Sequence, residues 1–316
     1  MSLLLKTKDI LSDILQLIKL TVNKFLDDNA IKLGASLSYY TLFSIPPLLI
    51  IIISIAGVFF GEEAIKGELV NQIEDIVGSS TALFIQSTLS NVKIGEYGSI
   101  ATIISMSLLL FSASTVFAEI QSSINFIWGL RAKPDKSIMK FLINRFVSFL
   151  MILTLGVILI SSLILNSVVN MIGYRLLSIL ELGQINLLKQ VNTLIVYLTI
   201  TTLFTVIFRT LPDAKIRIRD ALVGAFFTSS LFMIGNYLIS IYIPKSNIND
   251  LFGAAASVAI LMTWVYYSAM ILYFGAVFTK VYTDTYGKKI TPNEYTNLII
   301  KKEFEFYQND NSQIDK

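Results

Sequence analysis

The chain of 316 residues has no cysteine and no histidine. Without cysteine there is no disulfide, no thiolate nucleophile and no ligand set for an iron–sulfur cluster. Without histidine the commonest general base and the commonest transition-metal ligand are missing together. Charge is scarce as well. Asp, Glu, Lys and Arg make up 15% of the residues, against roughly 25% in a soluble domain. What takes their place is apolar: 54% of the residues are hydrophobic. These totals describe an integral membrane protein. They pick out no catalytic residue, no metal-ligand set and no cofactor motif, so an enzyme is not expected.

The stretch from Leu33 to Gly61 carries no charged residue and exceeds the ~20 residues that cross a bilayer core of about 30 Å. It contains Pro46 and Pro47 side by side. Two prolines remove two backbone donors and clash with the preceding turn. A bend or break is expected there, with the freed carbonyls needing protein or water partners in lipid. Five further apolar runs follow: Tyr97 to Trp128, interrupted only by Glu119, then Phe146 to Val169, Gln190 to Phe208, Ala221 to Pro244, and Leu251 to Thr279. The expected fold is an all-α polytopic membrane bundle of six transmembrane helices.

Basic residues set the expected orientation. Twenty of the twenty-five fall before the first span, in the second-to-third and fourth-to-fifth loops, and from Lys280 onward. That side is expected to be cytoplasmic, with both termini inside and the chain in the bacterial inner membrane. The bias also accounts for the basic balance without a nucleic-acid partner. Three regions follow: a cytoplasmic amphipathic helix in 1–32, the membrane domain in 33–283, and a polar cytoplasmic tail in 284–316. In the first, Leu11, Ile14, Leu15, Ile18, Val22 and Phe25 recur at helical spacing. That helix either lies in the membrane interface or packs on the cytoplasmic end of the protein. No cleavable signal peptide is read, and the first membrane helix is expected to act as its own signal. Between Glu62 and Glu96, Ile65, Leu69, Ile73, Ile76 and Val77 suggest a short amphipathic helix.

Glu119 is the one acid inside a span, and ionisable groups at that depth usually face a protein interior or a wet cavity. Ser112, Thr115, Glu119, Ser122 and Asn125 form a polar stripe at helical spacing. A second stripe of small and polar residues on the first span includes Gly34, Ser38, Thr41 and Ser44. Together with Pro46 and Pro47 these are candidate cavity residues, the alternative being close helix packing. Arg209, Arg217 and Arg219 are candidate contacts for lipid phosphates, or topology anchors. Asp220 is placed to cap the fifth span. Trp264, Tyr266 and Tyr267 are expected to fill a core.

Leu33 to Leu49 (LGASLSYYTLFSIPPLL), Ile124 to Pro134 (INFIWGLRAKP), Leu211 to Phe226 (LPDAKIRIRDALVGAF) and Leu251 to Ala276 carry a resemblance. In order and spacing they resemble the YihY/BrkB membrane proteins, once labelled ribonuclease BN. The resemblance spans about residues 10 to 285 and implies six spans in an inner-membrane protein, with transport or envelope and lipid roles proposed for relatives. Two departures stand out: Val277 and Met233 occupy places where many relatives carry acids. Glu119 matches an acidic position of some relatives. The leading expectation is a transporter or permease for a lipid, another amphiphile or a small solute. Membrane lipids, an amphiphilic substrate and further copies of the chain are its expected partners. The alternative is a non-transporting envelope-assembly or scaffold protein. A nuclease is disfavoured by the missing histidine and the scattered cytoplasmic acids.

Overall fold

The computed structural model describes residues 2–61, 67, 82–83, 85–87, 99–134, 137–180, 185–245 and 252–299. Among the described residues seven long helices dominate: α1 (Ser2–Asp27), α2 (Ala30–Phe60), α3 (Ser99–Trp128), α4 (Ser137–Leu180), α5 (Ile185–Thr210), α6 (Ile218–Lys245) and α7 (Ala256–Thr285). Helices α2 to α7 each contain a stretch long and apolar enough to cross a membrane. In lipid every backbone polar group must be satisfied within the segment, which is why these apolar runs are helices. The amphipathic helix suggested between Glu62 and Glu96 lies largely outside the described residues.

The six spans pack as a closed cycle. α2 packs on α3, α3 on α4, α4 on α5, α5 on α6 and α6 on α7, and α7 returns against α2. Between α6 and α7 the packing depends on missing side chains. A Cβ on Gly224 would lie 1.9 Å from Thr279 Oγ1, and one on Gly275 would lie 1.9 Å from Thr228 Oγ1. Each threonine hydroxyl is turned onto the glycine carbonyl four residues earlier in its own helix, Thr228 to Gly224 and Thr279 to Gly275, both at 2.7 Å. Small residues let two backbones approach where lipid supplies no hydrophobic drive for association. Tyr267 and Trp264 fill the next layer, Trp264 edge-on to Phe232. On the outside, Phe146, Val157, Leu194, Leu198, Phe226, Ile234 and Leu238 are exposed. So broad an apolar surface matches lipid, not water.

Helix α1 ends in a turn where Asn29 adopts φ 51°, a left-handed conformation that asparagine tolerates. Leu17, Thr21 and Phe25 are buried, and Phe25 meets Phe274 of α7 edge-on at 5.4 Å between ring centres. Ile14, Leu15, Ile18 and Val22 of the apolar stripe remain exposed. The helix therefore both packs on the bundle and presents an uncovered apolar line.

Of the bend or break expected at Pro46–Pro47, the break does not occur. α2 runs without interruption through both prolines. Pro47 cannot donate to the carbonyl of Phe43, four residues earlier. The Ser112 hydroxyl of α3 donates to that carbonyl at 3.4 Å, while the Ser44 hydroxyl donates to the Ser112 carbonyl at 2.9 Å. A neighbouring helix thus supplies one of the missing donors, and continuity survives.

The segment after α7 is not a plain polar tail. Among the described residues four short strands form two ladders: β1 (Leu130–Ala132) pairs antiparallel with β4 (Thr296–Leu298), and β2 (Ala214–Lys215) with β3 (Thr291–Pro292). Residues 288–299 form a strap across the α3–α4 and α5–α6 loops. Lys288 N–H donates to Asp220 Oδ2 at 3.4 Å, Asn293 N–H to the Asp213 carbonyl at 3.0 Å, and Ile299 N–H to the Gly129 carbonyl at 2.7 Å. Asp220 stands inside the first turn of α6. It therefore serves the helix N-terminus and the strap together, not a cap position alone. Gly129 closes α3 with φ 72°, and a Cβ there would lie 2.8 Å from the Ile299 carbonyl oxygen. Both facts demand glycine.

Candidate functional site

The strap end of the bundle holds a buried polar cluster. α3 contributes Gln121 and Asn125, one turn apart, and α4 contributes Lys140 and Asn144, also one turn apart. The loop between α5 and α6 brings in Asp213. Asp213 is buried, with its side chain 11% exposed, and its carboxylate accepts from Gln121 Nε2 at 3.2 Å and from Asn125 Nδ2, and pairs with Lys140 Nζ at 2.8 Å. Asn125 Oδ1 in turn accepts the Asp213 N–H at 2.9 Å, and Gln121 Nε2 is also shared with Asn144 Oδ1 at 3.2 Å. A buried carboxylate is tolerable only when paired and hydrogen-bonded like this. Trp128 fixes the end of α3 behind the cluster by donating its indole N–H to the Ala276 carbonyl at 3.0 Å.

Beside this cluster opens a cavity of about 470 Å³. Its polar wall is Ser122, Asn125, Arg131, Lys140 and Asn144, and its apolar wall is formed chiefly by Phe126, Leu130 and Ile299. The strap supplies Ile299, so the segment after α7 is a structural wall of the site. The volume falls within the ~300–1,000 Å³ of small-molecule pockets.

Of the sequence candidates, Ser122 and Asn125 line this cavity. Glu119 does not. It is half-buried on α3, and its Oε1 accepts from the Ser36 hydroxyl of α2 at 2.7 Å. Ser112 is committed to α2, and Thr115 to its own helix through the Phe111 carbonyl at 3.0 Å. Ser38 and Thr41 likewise bond to carbonyls of α2, those of Ala35 and Leu37. Pro47 is buried and Pro46 half-buried. The stripe is thus divided, its first part joining α2 to α3 and its last part lining the cavity. Arg209, Arg217 and Arg219 are exposed near the strap end and outside the cavity lining.

Gln121, Arg131, Lys140, Asn144 and Asp213 were not singled out by sequence pattern as members of one site. The available signal was two polar pairs at i and i+4, Gln121/Asn125 and Lys140/Asn144, at facing ends of consecutive spans. Arg145, next to the second pair, crosses to α3. Its Nη1 donates to Ser114 Oγ at 2.8 Å and its guanidinium lies 4.0 Å above the Phe111 ring centre.

Comparison with known proteins places this architecture. A family model described as virulence factor BrkB matches residues 21–297. The chain belongs to the BrkB family. Among its curated BrkB-like relatives, a UPF0761 membrane protein of Psychromonas ingrahamii is 29% identical, covering 80% of this chain and 82% of its own. One of Haemophilus influenzae is 26% identical over 84% of this chain and 94% of its own. A third, from Saccharophagus degradans, is 24% identical over 87% of this chain, which spans only 61% of that relative. No solved structure matches. This BrkB-family chain is therefore a multi-pass integral membrane protein.

Proposed function

We propose that this BrkB-family protein is an inner-membrane permease for an amphiphilic solute. The supporting observation is the cavity at the strap end, whose polar wall of Ser122, Asn125, Arg131, Lys140 and Asn144 faces an apolar wall of Phe126, Leu130 and Ile299. A solute with a polar head and an apolar body meets complementary surface on both sides. The excess of basic residues in the loops around the strap supports a cytoplasmic opening. No ATP-binding motif occurs in the sequence, so movement would be passive, ion-coupled or driven by a partner.

The test is flux through purified protein in liposomes, read with fluorescent short-chain lipids and small organic solutes. Ser122→Trp fills the cavity from an exposed position and should abolish flux while leaving the protein folded. Flux that persists with the cavity filled would sink the reading. A second reading, a non-transporting envelope scaffold, draws support from the exposed apolar line of Ile14, Leu15, Ile18 and Val22 on α1. It gains ground if no solute moves and Leu15→Ser with Val22→Ser disrupts envelope integrity in cells.

A further inference from the structure

We infer that the cavity binds an oxyanion, the kind borne by an anionic lipid headgroup or by free phosphate, with Asp213 as its resident counter-ion. The inference rests on the permease reading of this cavity and names the chemistry that the cavity holds. Its ionisable lining side chains among the described residues are Arg131 and Lys140, both cations, and no acid lines the wall. Asp213 lies behind that wall, paired with Lys140 at 2.8 Å.

Donors outnumber acceptors around the cavity. Lys140 has three N–H donors and Arg131 five, and neither side chain can accept. Asn144 already spends its carbonyl oxygen on Gln121 Nε2, which leaves the amide NH2 as the end that serves a ligand. Ser122 adds an exposed hydroxyl. Charge-assisted bonds from such donors to an oxyanion are shorter and about twice as strong as neutral ones.

The cluster is built for exchange at Lys140. If Lys140 turns to an incoming oxyanion, Asp213 keeps its bonds from Gln121 Nε2 and Asn125 Nδ2. The backbone there stays held, because Asp213 N–H remains on Asn125 Oδ1. The carboxylate therefore balances Lys140 in the empty site without having to move when the site fills. Phe126, Leu130 and Ile299 supply an apolar flank next to the cations, where an acyl chain would lie if the oxyanion belongs to a lipid.

The test uses the native lack of cysteine. Ser122→Cys places a single thiol in the cavity of the full-length protein, and its alkylation by a neutral maleimide is timed in nanodiscs. Three conditions are compared: phosphatidylcholine alone, phosphatidylcholine doped with phosphatidylglycerol, and phosphatidylcholine with inorganic phosphate. Slower alkylation with phosphatidylglycerol only supports a lipid headgroup. Slower alkylation with phosphate as well supports a soluble oxyanion. Adding Arg131→Gln, at an exposed position that leaves the Asp213 cluster intact, should raise the half-protecting concentration about tenfold, the effect of one lost charge-assisted bond. Equal alkylation in all three conditions, or protection unchanged in Arg131→Gln, overturns the proposal. The readout is occupancy and not flux. Protection without flux would sink the permease and spare this site, and flux without protection would do the reverse.

Discussion

At the scale of single residues, Asp213 is the position on which the strap end depends. Removing one partner of a buried ion pair leaves the other uncompensated, at about 3–5 kcal/mol. Asp213→Ala also strips the acceptor from Gln121 and Asn125. It should lower the thermal unfolding midpoint in detergent by an amount corresponding to about 3 kcal/mol or more. Lys140→Met combined with Asp213→Ala should recover part of that loss, because no lone charge is left behind. Strict additivity of the two changes would show that the pair is not coupled. Asp213 was hard to read from sequence because its partners Gln121 and Asn125 lie 92 and 88 residues away. An acid in a charged loop looks solvated until the loop is known to fold back on α3. Ser122 and Asn125 were legible because helical spacing alone puts them on one face. Glu119 was legible as an acid in a span, but its partner Ser36 on α2 was not.

At the scale of elements, continuity of α2 depends on α3. The Ser112 hydroxyl serves the carbonyl that Pro47 leaves without a donor. Ser112→Ala should therefore destabilise the protein by about 1–2 kcal/mol, because lipid offers the Phe43 carbonyl no other donor. With Pro47→Ala the helix regains its own N–H, and Ser112→Ala should become nearly neutral. Equal costs of Ser112→Ala in both backgrounds, measured by thermal unfolding, would refute the assignment. The α6–α7 contact makes a second case. Gly224→Ala pushes a methyl to 1.9 Å from Thr279 Oγ1. It should cost about 1–3 kcal/mol as an overpacked contact. Thr279→Ala removes that oxygen but leaves its Cβ at 2.9 Å, so rescue should be partial. Full rescue, or no cost at all, would mean that the helices sit further apart. The helices themselves were readable from apolar runs between charges. The strap was not, because β3 and β4 span two and three residues. So short a strand shows no alternating pattern, and its pairing partners belong to distant loops.

At the scale of the whole molecule, the strap and the charge distribution bear on one question, the direction in which the bundle sits. Through β1–β4 and β2–β3 the α3–α4 loop, the α5–α6 loop and the segment after α7 are hydrogen-bonded to one another. They therefore share one face of the bundle, and they carry exposed Arg131, Lys215, Arg217, Arg219, Lys288 and Lys289. Toward the opposite ends of the spans the sequence holds only five basic residues: Lys66, Lys93, Arg175, Lys189 and Lys245. Orientation follows the Lys and Arg bias of short loops, and here that bias is concentrated on segments that cannot separate without breaking two ladders. A single orientation is expected, with the strap and cavity toward the cytoplasm. Single cysteines in this cysteine-free chain test it. A cysteine at Lys215, exposed in β2, should resist an impermeant thiol reagent in intact cells and react in inverted vesicles. Cysteines at Asn71, between α2 and α3, and at Asn247, between α6 and α7, should show the opposite pattern. Labelling of the Lys215 position from outside would invert the orientation. Labelling of both sets from outside would mean that the chain inserts in two directions, and the cavity would then open to both sides of the membrane across the population.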